Sequence, residues 1–344
     1  MTPKTILVLA AVTVATVILA VAAVVDEPGP SRIEVAGEPA FPRLRTNPDA
    51  VATVLIRTGE GEITLARQDE GRWVVPTEHG YPAAAGRVRN LIVSLADMQL
   101  IEAKTANPKR FARLEVENVE AEESRSRLVR LADAEHETLV EVLIGKTRSR
   151  LTGTESAGTY LRRVGENRSW LASGRLDLPT AGAAWLDRRI VDLAAEEVVR
   201  VEVTPPDGAA YALVRDGDGW AMADADGARL AEDATPEDLA GALAGLDLEA
   251  VRPTGKIAWP DESWRFRFVT EAGLEVALRL AEVEGAGWAQ LEATTRLDQP
   301  SEEAVERAAE ISARTEGWGY RLPERSIERL RQPRAAWLEE DETS

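Results

Sequence analysis

Residues 51–73 read VATVLIRTGEGEITLARQDEGRW, and residues 198–220 read VVRVEVTPPDGAAYALVRDGDGW. Each stretch alternates apolar and polar residues, turns at a Gly-containing segment, and alternates again up to an arginine. An acidic turn then leads to a tryptophan. Period-two alternation sends neighbouring side chains to opposite faces of a strand, so each stretch predicts a β-hairpin with one buried face. Arg67 stands 148 residues before Arg215, and Trp73 stands 147 before Trp220. So constant an offset predicts an internal duplication.

The offset persists outward from the hairpins. Val88, Leu91, Ile92 and Leu95 fall at i, i+3, i+4 and i+7, the apolar stripe of an amphipathic helix. Leu91, Leu95, Met98 and Leu100 each lie 148 residues before Leu239, Leu243, Leu246 and Leu248. Pro82 and Pro236 are expected in first helical turns, and Thr235 with Asp238 in a capping box. A second alternating pair follows in each copy, over residues 128–131 and 139–144 and again over 264–269 and 274–280. The phrases Trp185-Leu186-Asp187 and Trp337-Leu338-Glu339 close the copies at a spacing of 152. The second copy has therefore gained residues, assigned here to a helix over 302–314.

The fold class expected is α+β: an N-terminal transmembrane helix, then two tandem repeats of an antiparallel-sheet module with one covering helix each. The expected boundaries are an anchor helix at 1–25, a Pro-rich tether at 26–47, a first repeat at 48–191, a second at 192–338 and an acidic tail at 339–344.

From Ile6 to Val25 the chain runs twenty residues without a charge. As a helix that is roughly 30 Å, the thickness of a bilayer's hydrocarbon core. The stretch exceeds the usual apolar core of a cleaved signal peptide, although Ala20-Val21-Ala22 would permit cleavage after Ala22. The expectation is a single-pass signal-anchor in the bacterial cytoplasmic membrane, with the bulk of the chain on the extracytoplasmic, periplasmic side.

Composition removes several chemistries. The chain has no cysteine, which excludes disulfides, thiolate zinc sites and a cysteine nucleophile. The net charge of −18 argues against a nucleic-acid partner, because phosphate binding needs a cationic footprint. The only two histidines, His79 and His136, sit in turn-like sequence without a second imidazole nearby. Asp216-Gly217-Asp218-Gly219 and Asp224-Ala225-Asp226-Gly227 lack the late bidentate carboxylate of a calcium loop and read as hairpin turns. No nucleophile elbow, P-loop or dinucleotide fingerprint occurs. No catalytic, cofactor-binding or metal residue is therefore assigned, and the protein is expected not to be an enzyme.

The ordered phrases Phe41-Pro42, residues 51–56, Gly71-Arg72-Trp73, Gly80-Tyr81-Pro82-Ala83, Leu143-Ile144-Gly145-Lys146, Tyr160-Leu161-Arg162 and residues 185–193 resemble the bacterial domain-of-unknown-function family 4340. One departure is the family's Tyr-Gly-Leu-x-x-Pro phrase, which stands here as Phe111-Ala112-Arg113-Leu114-Glu115-Val116. The resemblance implies an N-terminal anchor, an exported body without established activity, and association with ABC-transporter permeases of the gliding-motility type. The expected function is thus a non-catalytic interaction module, an accessory subunit of an ABC-type transport or gliding-type membrane assembly. Its expected partners are the membrane and an ABC permease or other envelope protein. The alternative is an envelope protein that holds a glycan or lipid between the repeats. Trp259, Trp288 and Trp318 lack counterparts in the first copy and are the candidate partner contacts.

Overall fold

The computed structural model describes residues 37–149, 158–206, 208–223, 230–231, 234–296 and 299–338. The expected membrane span at 6–25 lies outside these residues, as do residues 26–36 of the tether and the acidic tail, while residues 38–46 form a short strand and a helix with Phe41 and Leu44 buried. Among the described residues no helix is long and apolar enough to cross a membrane. By internal contacts the chain forms two units, Met1–Trp73 with Ala85–Ala181, and Val74–Ala84 with Gly182–Ser344. The short segment between the first hairpin and the first helix therefore counts with the second unit.

The first half of the chain carries β1 (Glu38–Pro39), β2 (Thr53–Arg57), β3 (Glu62–Arg67), β4 (Trp73–Val75), β5 (Tyr81–Pro82), β6 (Gln99–Ala103), β7 (Arg127–Ala132), β8 (Thr138–Arg148), β9 (Gly158–Arg163) and β10 (Ser169–Ser173). The second half carries β11 (Arg189–Val191), β12 (Val198–Thr204), β13 (Tyr211–Asp216), β14 (Gly219–Met222), β15 (Leu246–Asp247), β16 (Ala250–Pro253), β17 (Trp264–Thr270), β18 (Leu274–Val283), β19 (Ala286–Thr295) and β20 (Trp318–Arg321). Alternation decides which residues go inside. Val54 and Ile56 in β2, and Val201 and Val203 in β12, are buried, and the residues between them face outward.

The two units share a strand order. The hydrogen-bonded order β6-β10-β9-β8-β7-β2-β3 of the first unit recurs as β16-β20-β19-β18-β17-β12-β13 in the second. β1 pairs antiparallel with β6, and β11 likewise pairs with β15, just ahead of β16. Arg67 donates to the carbonyl of Asp49 at 2.7 Å, and Arg215 to that of Ala195 at 3.1 Å. Each arginine thereby ties the second strand of its hairpin to the short turn before the first. Within the second unit, Ala84 N–H donates to Trp185 O at 2.8 Å and Ala231 N–H to Trp337 O at 3.1 Å. Those two bonds are repeat-equivalent, and so are the bridges Ala83 to Leu186 and Leu230 to Leu338.

The copies diverge where residues have been gained. β9 turns tightly into β10 through Gly165, whose φ of +82° is open to glycine, whereas the path from β19 to β20 contains the helix Glu302–Thr315. That helix occupies the span expected for the insertion. Ser301 caps it by accepting from Ala304 N–H at 3.1 Å, and Ala304, Ala308 and Thr315 are buried.

The expected pattern of one covering helix each is modified. Ala85–Ala96 buries Val88, Leu91, Ile92 and Leu95 as the stripe requires. Its counterpart is a helix only over Pro236–Ala240, followed by a single tight turn at Gly241–Leu243. Gly241 and Gly245 bracket that turn, and a helix interior pays about 1 kcal/mol for each glycine. The second copy adds Glu302–Thr315 and Glu324–Leu330 instead. Pro82 is no helical residue: it lies in β5 opposite Val74. Thr235 makes no side-chain cap, and Asp238 N–H bonds the Thr235 backbone carbonyl.

One buried polar joint holds the chain's end in the second unit. The Tyr211 hydroxyl, pushed up to about 12 by burial, donates to Gln332 O at 2.5 Å and accepts from Trp337 Nε1 at 3.0 Å. Tyr211→Phe strands both partners, so unfolding free energy should fall by about 1–3 kcal/mol. A shifted urea midpoint with unchanged slope checks this, and an unshifted midpoint contradicts it.

Candidate functional site

Strands β12, β17, β18 and β19 form the long centre of the second unit's sheet. Their inward residues, among them Val203, Phe266, Leu278 and Leu291, are 1–3 % exposed. The outward residues are polar, and the register sets them in rows. One row runs Thr204, Arg265, Arg279, Gln290, and the next runs Glu202, Arg267, Ala277, Glu292. Together they line an open groove of about 390 Å³.

The groove sets three arginines, Arg265, Arg267 and Arg279, beside two carboxylates, Glu202 and Glu292. Glu202 accepts from Arg200 Nε at 2.8 Å and pairs with Arg296 at 2.9 Å and Arg267 at 3.6 Å. Arg267 and Arg296 also reach Glu275, at 3.6 and 3.5 Å. Arg279 donates to Ser263 Oγ at 3.1 Å and to Pro260 O, and its guanidinium lies 5.3 Å from the Trp259 ring centre. Arg265 is exposed and makes no hydrogen bond or ion pair with the described residues.

Burial alone would raise the Glu202 pKa, but its hydrogen bonds from Arg200 and Arg296 hold it below the ordinary carboxylate value. A carboxylate lowered in the native state contributes stability in full above its unfolded pKa of about 4.3. That contribution is lost as pH falls through the lowered native value. Acid unfolding of Glu202→Gln should therefore lack part of the wild-type loss between about pH 4.3 and that lower value. Parallel pH profiles for the two proteins would contradict the assignment.

The equivalent face of the first unit is closed. Its row runs Arg57, Leu128, Leu143, Arg162. The connection over residues 104–126 lies on it, with Val119 packed against Leu128 and Leu143. Arg162, 6 % exposed, donates to Val116 O at 2.8 Å, Asn118 Oδ1 at 2.6 Å and Glu166 O at 3.0 Å, beneath the Phe111 ring. Arg57 pairs with Glu120 at 3.7 Å. In the second copy the matching connection spans only residues 254–263. It covers one end of the sheet, where Ile257 joins Ala281, Val283 and Trp288 in a small core.

The three tryptophans separate accordingly. Trp259 and Trp288 meet in that core, Trp288 only 2 % exposed and Trp259 half-buried, its Nε1 donating to Thr254 Oγ1 at 3.0 Å. Trp288 thus offers almost no surface, and Arg252 stacks 4.7 Å from its ring centre. Trp318 is half-buried elsewhere, edge-on to Tyr81 at 5.1 Å. His79 and His136 occupy exposed turns with φ of 60° and 64°. Asp216-Gly217-Asp218-Gly219 is the β13–β14 hairpin turn, while residues 224–227 lie outside the described set. Among the described residues no group of three or more His, Cys, Asp or Glu side chains is arranged to hold a metal. The arginine face escaped the sequence reading. Its signal was there in the aligned rows, where arginine replaces Leu128 at 265 and Leu143 at 279.

The family described as Domain of unknown function (DUF4340) matches residues 73–262, more than half of the chain. The chain belongs to the DUF4340 family. No curated protein and no solved structure matches it. The DUF4340 match begins at Trp73 and runs through β16, ending before β17. The family therefore spans parts of both repeats of this DUF4340 protein, while the arginines of β17 and β18 fall beyond the matched stretch.

Proposed function

We propose that this DUF4340 protein is a non-catalytic interaction module held at the extracytoplasmic face of the bacterial cytoplasmic membrane by residues 6–25. It serves there as an accessory subunit of an ABC-type transport or gliding-type membrane assembly. One observation carries the reading of interaction: the outer face of β12, β17, β18 and β19 is open and arginine-lined, where its duplicate is closed by the chain's own connection. Duplication followed by uncovering one copy's face makes a surface for something other than the fold itself. The apolar stretch at 6–25 supports attachment, and the family resemblance supports the choice of assembly.

Affinity purification of the full chain from membranes in mild detergent tests this. Recovery of a permease-containing complex that depends on residues 6–25 is expected, and recovery of no membrane partner overturns it. A glycan or lipid occupant is the competing reading, because Trp259 stands at one end of the groove beside Arg279. Its fluorescence should stay flat when envelope glycans and lipids are titrated.

A further inference from the structure

We propose that the open face of the second repeat receives an acidic segment of a partner protein, with its carboxylates paired to Arg265, Arg267 and Arg279. The proposal rests on reading that face as the interaction surface and adds the chemistry of what it binds.

The first repeat supplies the template. The segment lying on its equivalent face is Glu115-Val116-Glu117-Asn118-Val119-Glu120, followed by two further glutamates at 122 and 123. Its valines are buried, Val116 at 0 % and Val119 at 3 % exposed. Arginines at both ends of the row hold it, Arg162 through Val116 O and Asn118 and Arg57 through Glu120. The equivalent face is thus one that already accommodates an acidic segment, folded in turns, between arginines.

In the second repeat the shorter connection covers only one end of the sheet, and the arginines stand at the centre of the row. Arg265 and Arg279 are direct cross-strand neighbours, and Arg267 lies one row along. Like charges directly opposite on a sheet repel, a cost that an anion seated between them reverses. Guanidinium groups suit carboxylates because their planar fork matches both oxygens. Ala277, at the centre of the second row, leaves space for a backbone to approach.

The test uses the full chain in detergent and a fluorescein-labelled peptide of its own residues 113–124, RLEVENVEAEES, alongside the same peptide with every glutamate changed to glutamine. Anisotropy should show saturable binding of the glutamate peptide that weakens as salt is raised. The glutamine peptide, and the variant with Arg265→Glu and Arg267→Glu, should each bind at least about tenfold more weakly. Both side chains are exposed, so the fold should survive, and the milder pair Arg265→Gln with Arg267→Gln should give an intermediate loss. Absent binding by the wild type, equal binding of the two peptides, or an unaffected charge-reversed variant each overturns the proposal. So does retention on phosphatidylglycerol vesicles in preference to the peptide. Purification from membranes separates the two claims. If the charge-reversed variant still recovers the wild-type complex, the acidic-segment proposal fails and the interaction module stands. If neither protein recovers a complex, the module reading fails.

Discussion

Trp185→Ala is expected to lower the unfolding free energy by about 3–5 kcal/mol. Trp185 is 0 % exposed and stands among the largest fully buried side chains described. The indole ends the short turn Gly182–Trp185, and the residue's carbonyl accepts from Ala84 N–H at 2.8 Å. Truncation removes the transfer energy of the ring and leaves a cavity in close-packed surroundings. The same phrase returns at Trp337, 3 % exposed, whose Nε1 also donates to the Tyr211 hydroxyl. Trp337→Ala should therefore be similarly costly and should lose most of the additional effect of Tyr211→Phe, since the two residues share one bond. Because the chain forms two units, one global midpoint need not describe it. Hydrogen exchange of the β12 and β17 amides should report the loss for the second unit. A change below about 1 kcal/mol there would mean that the indole is dispensable packing.

These tryptophans were legible in the sequence, because each recurs in the phrase that closes its copy and so has a position to fill there. Strand alternation was legible for the same reason. Val54 with Ile56 and Val201 with Val203 point inward, as a period of two dictates. The site was not legible, and the cause is physical. Whether an outward row becomes core or surface depends on a connection remote in sequence, and alternation says nothing about what lies above the sheet. Leu128 and Leu143 look no different in pattern from other strand leucines, yet they are outward residues made into core by Val119. Trp288 also faces outward and is buried only because Ile257 and Trp259 fold over it. Pro82 misled for a related reason. A proline ahead of an apolar stripe suits a first helical turn, but opposite Val74 it also suits a short edge pairing, and tertiary context chose the second.

Gly145→Ala should be the most damaging single-methyl change in the first unit, costing about 3 kcal/mol. Gly145 belongs to the Leu143-Ile144-Gly145-Lys146 phrase and sits where the β8–β9 register shifts. A Cβ there would stand 2.1 Å from Leu114 O, 2.9 Å from Glu115 O and 2.8 Å from Val116 Cγ1. Two of those three atoms are backbone, so rotating a side chain cannot relieve the overlap, and either the strand or the covering segment has to move. The segment is the weaker party. It turns onto the sheet through Glu115 at φ 59°, a conformation that already disfavours a side chain. It is then held by Lys146 N–H to Leu114 O at 3.2 Å and by Arg162. Displacing it breaks those bonds, bares Leu128 and Leu143, and leaves the Arg162 guanidinium with Glu166 O as its one remaining acceptor among those described. Hydrogen exchange at Val116 and Val119 should accelerate well ahead of exchange in β7 and β8, since the sheet's own ladder is untouched. If both valines keep wild-type protection in a variant of unaltered stability, the segment does not lie on β8 as closely as described. The first repeat would then no longer serve as the template for an acidic segment on the second.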